Sequence, residues 1–470
     1  MTRIRATAWV LAVCLGYANQ IEAKADQISA HPPAAAPAAT SSAGPPGQAE
    51  TAGTAKPAAP SPARVPPKIP TASFAAWPEF RDPELSPDGY RFLARATLQG
   101  KEVVTVIDLR DHNKATLLRV PKDFDLVWYQ WAGNGTVLIS IGKAVPWGDD
   151  RAYSTRLYAF DTVQQKSQFV GGNQEGLVGD DVLWIDPNGQ KMLLSYQRTI
   201  YDWPSVFSVD IATNKAEQVV PQRTDIWSWS ADNDGIVRYG WGYTDDHHWK
   251  AVYRKSPDDK FKVIAKNRDD REESSNFDIL RIIQGSDEGF VYDTDEHTGL
   301  KAIYKFNFAT RVRGDLVFSA PASDIDDAYT SEDGKTMQSA WYTDDKPRVH
   351  WWDEEMQHFQ QDLDKAVNKD APDDRIARVI SQSRDKAIKL VWVGAANDPG
   401  NVYVFQEATG RMQRLLVMRR ELKPEDLAMP HYVHYKSRDG LDIPAYLTLP
   451  VGREPKGLPL VILPHGGPFW

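Results

Sequence analysis

From about residue 74 the chain keeps a recurring beat: an apolar or aromatic run, a short polar turn closing on Gly, then another apolar run. The turn appears as Ser86-Pro-Asp-Gly89, Ala132-Gly-Asn-Gly135, Asp186-Pro-Asn-Gly189, Asp232-Asn-Asp-Gly235, Ser286-Asp-Glu-Gly289 and Glu332-Asp-Gly334. A degenerate seventh copy is Ser383-Arg-Asp-Lys386. Successive copies fall 45 to 54 residues apart. Asp/Asn-Gly between apolar runs predicts a tight hairpin, because Gly accepts the positive φ such a turn needs.

Two further elements recur. Alternating strands followed by a polar turn occur at Ser205-Val-Phe-Ser-Val-Asp210, Lys301-Ala-Ile-Tyr-Lys-Phe306 and Asn401-Val-Tyr-Val-Phe405. Between the two halves of a unit stand Thr244-Asp-Asp246, Thr294-Asp-Glu296 and Thr343-Asp-Asp345. Each unit therefore reads as four short strands joined by three hairpins. Such a sheet cannot cover both its faces alone and stacks on its neighbours around a channel. The pattern predicts a mainly β chain with a seven-bladed β-propeller over residues 71–425.

After Leu422-Lys-Pro-Glu-Asp426 the pattern changes. His431 to Tyr435 alternates as a strand, Arg438-Asp-Gly440 turns, and Leu441 to Leu449 returns, with Pro444 suiting an edge position. Leu458 to Leu463 is apolar throughout, as expected of a strand buried on both faces of an α/β sheet. His465-Gly466-Gly467-Pro468 follows at once. Residues 426–470 are thus expected to open an α/β-hydrolase domain.

The N-terminus has a different character. Arg3 and Arg5 precede an apolar stretch from Ala6 to Tyr17, and residues 1–23 read as a signal peptide, too short for a stable membrane span. Residues 24–70 are rich in Ala, Pro, Ser and Gly and read as a disordered linker. An exported protein, periplasmic or secreted, is expected. The only cysteine, Cys14, lies in the leader, so the mature chain has neither disulfide nor thiolate site. A net charge of −9 argues against a general nucleic-acid-binding surface. Sixteen Trp suit an all-β repeat fold, where flat rings pack between sheets.

Candidate chemistry concentrates at His465-Gly466-Gly467. A backbone N–H on a glycine turn after a sheet strand can stabilise the oxyanion of acyl transfer, and Gly467 is best placed to supply it. His465 is not assigned the base role, because in α/β-hydrolases the catalytic His comes after the Ser and the Asp. Asp232-Asn-Asp234-Gly235 is the nearest approach to a calcium loop but lacks the downstream acidic ligand. The Asp-rich turns are read as solvated hairpin tips. His247-His248 is a poor chelate, since adjacent strand residues point to opposite faces. No metal and no cofactor are expected.

A seven-bladed propeller followed by an apolar strand and His-Gly-Gly-Pro resembles the prolyl oligopeptidase family of serine peptidases. It is most similar to the acylaminoacyl-peptidase and dipeptidyl-peptidase branch; Pro83-Glu-Leu-Ser-Pro-Asp-Gly89 also looks like that branch's first blade. The resemblance implies a Ser-Asp-His triad, a propeller capping the site, and short peptides as substrate. It also suggests Glu272-Glu273 as a grip for a substrate amino terminus, against the plainer reading of a solvated acidic face. No Gly-x-Ser-x-Gly occurs in the sequence. The expectation is therefore a C-terminally truncated chain, cut before its nucleophile and inactive by itself. The alternatives are a non-catalytic propeller that binds a protein or glycan partner, and an esterase or lipase.

Overall fold

The computed structural model describes residues 64–98, 101–111, 115–148, 150–172, 175–243, 248–268, 278–369 and 375–464. Seven antiparallel sheets follow one another between Phe80 and Val417, each built from consecutive strands in sequence order. Six have four strands; the sixth has three. The first strands of neighbouring sheets approach each other: Phe80–Leu85 meets Ile376–Gln382, and Asp181–Ile185 meets Ser228–Ala231. First strands therefore ring the axis, while last strands such as Ala216–Val220 stand largely in solvent. This is a β-propeller.

The core lies between the sheets rather than within any one of them. Leu138, Met192 and Phe207 join the second sheet to the third, Trp229 and Val252 join the third to the fourth, and Tyr239, Phe306 and Phe308 join the fourth to the fifth. The ring closes where Phe80, Leu85 and Phe92 pack on Leu390, Val402 and Leu416 of the seventh sheet. Among the described residues no strand of one end completes the sheet of the other. Closure rests on side-chain packing and on bonds such as Leu85 N donating to Ser381 Oγ at 2.9 Å. With a neighbour on both faces, the middle strands bury nearly every side chain, as in Lys191–Tyr196. This explains why they read as apolar runs rather than as alternating ones.

The Gly-closed turns form as the sequence indicates at Gly89, Gly189, Gly235 and Gly334, with φ between 70° and 73°. Lys386 takes the same left-handed conformation (φ 58°) in the seventh copy. Two turns are displaced. Gly133, not Gly135, carries the positive φ in the second unit, and Gly285 carries it in the fifth. Gly289 lies inside the strand Glu288–Thr294. The left-handed position there comes four residues early because Gln284-Gly285 supplies a permissive glycine first.

The sixth unit departs from the four-strand expectation. In place of a fourth strand it has a helix, Glu354–Val367. Asp353 caps it by accepting from Met356 N at 3.1 Å, and Met356, Leu363 and Val367 recur on one face at helical spacing. That face packs on Ala377, Val391 and Val393 of the seventh sheet. No helix among the described residues is long and apolar enough to cross a membrane.

Beyond the propeller, Pro430–Lys436 pairs with Asp442–Thr448 as a hairpin, with Pro444 opposite His434. The Tyr446 hydroxyl reaches the carbonyls of Asp344 (3.0 Å) and Asp345 (3.1 Å). The hairpin is thereby fixed to the propeller face that carries the turns between second and third strands. Leu458–Leu463 does not form the expected strand. It has no ladder partner, and Leu460 to Leu463 are 77–93% exposed. A strand exists only where another satisfies its backbone groups, and no such edge lies beside it among the described residues.

Candidate functional site

The first strands Asp125–Ala132, Asp181–Ile185 and Ser228–Ala231 of three consecutive sheets border an open cavity of about 800 Å³ on the axial side of the propeller. Five aromatic residues contribute to its wall: Trp128, Tyr129, Trp227, Trp229 and Tyr243. The polar atoms of four of them are already engaged. Trp128 Nε1 donates to Asp180 Oδ2 at 2.9 Å, Trp227 Nε1 to the Tyr243 carbonyl at 3.1 Å, and Trp229 Nε1 to the Pro204 carbonyl at 3.0 Å. The Tyr129 hydroxyl donates to the Asp82 carbonyl at 2.6 Å. Those four rings therefore present hydrocarbon and π faces to the cavity, not donors.

Two adjacent carboxylates lie in the wall and have different surroundings. Asp180 is buried and accepts from Trp128, from Ser140 Oγ at 2.6 Å and from Thr155 Oγ1, so its oxygens are satisfied. Asp181 has no such set. Burial pushes its carboxyl up to about 6, the Ser195 hydroxyl beside it pulls only partly the other way, and the negative charge of Asp180 adds to the rise. Among the described residues no cation pairs with Asp181. Past Tyr129, Glu84 on the first strand of the first sheet is another carboxyl without a cation. Burial lifts it to about 7, offset by the Trp131 N–H that it accepts at 3.2 Å.

None of the described residues that line the cavity was singled out by the sequence as a candidate site. His465, Gly466 and Gly467 lie outside the described residues, as do Glu272 and Glu273. Among the described residues no group of three or more His, Cys, Asp or Glu is placed to hold a metal. Asp232, expected at a solvated tip, is instead 1% exposed and paired with the buried Arg238. The fixed guanidinium occupies the place a cation would take. The cavity itself was not anticipated. Its traces in the sequence are the acidic pair Asp180-Asp181 before an apolar strand and the alternation Trp227-Ser-Trp229.

No family model matches the sequence. Over 244 residues the chain is 23% identical to Dipeptidyl peptidase family member 6 of Caenorhabditis elegans, a match that covers 52% of this chain and 30% of that protein. A structure from a study of two prolyl endopeptidases superposes on 81% of this chain and 56% of its own, at 14% identity and a TM-score of 0.51. Prolyl oligopeptidase B from Galerina marginata matches 79% of this chain and 55% of its own, at 13% identity and a TM-score of 0.48. The chain thus spans less than a third of the curated relative and little more than half of the solved peptidases. The solved structures it is similar to are prolyl oligopeptidases, the curated relative is a dipeptidyl peptidase family member, and the fold is shared with the first of those solved structures over 81% of this chain.

Proposed function

We propose that this chain is the N-terminal portion of an exported serine peptidase of the prolyl oligopeptidase type. In this reading the propeller gates a catalytic domain that hydrolyses short peptides through an acyl-enzyme. The observation that carries it is order along the chain. A closed propeller is followed by a hairpin tied to one of its faces, then by an apolar segment running into His465-Gly466-Gly467. A Gly467 N–H supplies one oxyanion donor and the N–H after the nucleophile the other. Residues 1–23 direct export to the periplasm or beyond. The test is to label the whole gene product with a serine-directed fluorophosphonate. One labelled serine in a Gly-x-Ser-x-Gly context, with turnover of short peptides and not of folded protein, is the expected result. Absence of labelling rejects the reading.

The cavity on the axial side favours a second reading, in which the propeller is itself a binding module for a protein or glycan partner. Specific binding by a whole gene product that resists labelling supports this second reading.

A further inference from the structure

The indole donors of the cavity wall are spent, and its acceptors differ in how far they are satisfied. Its indole N–H groups are engaged, and Asp180 is saturated by an indole and two hydroxyls. The Asp181 carboxylate lines the same cavity as Trp128, Trp227, Tyr243 and the neutral polar side chains of Gln130 and Ser228, and it has no cation beside it among the described residues. A carboxylate held away from water with one hydroxyl and no cation beside it is unfavourable, and a donor-rich positive group relieves it. Aromatic faces attract the same group through their quadrupoles, and more strongly where water is displaced.

We propose that this cavity binds an organic cation, a guanidinium or ammonium group on a flexible ligand, with Asp181 as counter-ion and Trp128, Trp227 and Tyr243 as the surrounding wall. The volume of about 800 Å³ admits a side chain of arginine size together with some of the backbone that carries it. Arg156 acts electrostatically on Asp180 and donates to the carbonyls of Thr155 and Leu177. It leaves Asp181 for the ligand. The inference stands independently of the peptidase reading, because it concerns binding by this chain and not turnover.

The test is calorimetric titration of the 470-residue chain with N-acetyl-arginine amide and with N-acetyl-citrulline amide. These probes match in size and differ in charge. The arginine derivative is expected to bind about tenfold more tightly. Asp181→Asn should abolish that preference. The variant removes a poorly solvated charge, so it should fold at least as well as the parent. Trp227→Ala, at a half-exposed ring, should weaken the arginine derivative several-fold while the thermal midpoint stays unchanged. Equal binding of the two probes, no binding of either, or a preference that survives Asp181→Asn overturns the proposal.

Discussion

Arg238 Nη1 lies 2.9 Å from Asp232 Oδ2, and neither side chain is more than 1% exposed. The same guanidinium donates to the Tyr253 hydroxyl at 2.6 Å, the Ser286 carbonyl at 2.7 Å and, through Nε, the Arg254 carbonyl at 2.9 Å. Ser286 belongs to the fifth sheet's turn, so one buried cation ties that turn to the fourth sheet. Removing Arg238 strands a carboxylate and two carbonyls. Arg238→Met is expected to cost about 3–5 kcal/mol, whereas replacing both partners with apolar residues should cost less than the single change. Urea unfolding of the two single variants and the double variant decides this. Strict additivity would mean that the pair is not coupled.

Glu84 makes stability depend on pH. Its carboxyl is pushed from the ordinary 4.5 up to about 7 by burial, so the folded chain holds a proton that the unfolded chain releases. The contribution is fully present below pH 4.5, falls as pH rises and is gone above about 7, a loss of roughly 3 kcal/mol at most. Glu84→Gln should flatten that fall and make the variant the more stable protein at pH 8. Asp181→Asn should act in the same direction over the lower window that ends near 6. Thermal midpoints at pH 4, 6 and 8 (roughly spanning both windows) check the sign. A parent protein that gains stability relative to Glu84→Gln on going to pH 8 contradicts it.

The parts of this fold legible in the sequence are those that one short stretch specifies. Asp-Gly turns declare themselves because few residues tolerate positive φ, and the Ser that completes several of them is visible in hindsight. Ser86 donates to Asp88 at 2.6 Å and Ser383 to Asp385 at 2.6 Å. The helix Glu354–Val367 also left a local trace, the Asp353 cap before Met356, Leu363 and Val367, but the beat of the repeat overrode it. The burial of Asp232 and the aromatic cavity were not legible. Arg238 reaches Ser286 across a blade boundary, 48 residues away. Trp128, Asp181 and Trp229 come from three consecutive units, and only the stacking of neighbouring sheets brings their side chains together.

Two glycines separate backbone conformation from packing. Gly189 and Gly410 both have positive φ, 70° and 59°. A Cβ at Gly410 meets open space, whereas one at Gly189 comes within 2.4 Å of the Ala132 backbone in the neighbouring sheet. Gly410→Ala should cost about 1–2 kcal/mol, the left-handed penalty alone. Gly189→Ala should exceed about 4 kcal/mol, because two backbones must part. Chemical denaturation of both variants measures the gap, and equal costs would mean that the turns of the second and third sheets are not in contact.

The segment Leu460-Val-Ile-Leu463 is exposed along its whole length, and Pro459 and Pro464 bracket it. Prolines interrupt strand pairing at both ends but leave four apolar side chains in water, a surface that drives self-association. Val461→Glu with Leu463→Lys should therefore reduce aggregation of this chain without moving its thermal midpoint, since these side chains carry none of the packing that closes the propeller. Light scattering against concentration reads the first effect and calorimetry the second. If the midpoint drops along with the scattering, the segment packs on the propeller and its exposure is wrong. If scattering is unchanged, association runs instead through the hairpin's exposed Tyr432, Tyr435 and Leu447.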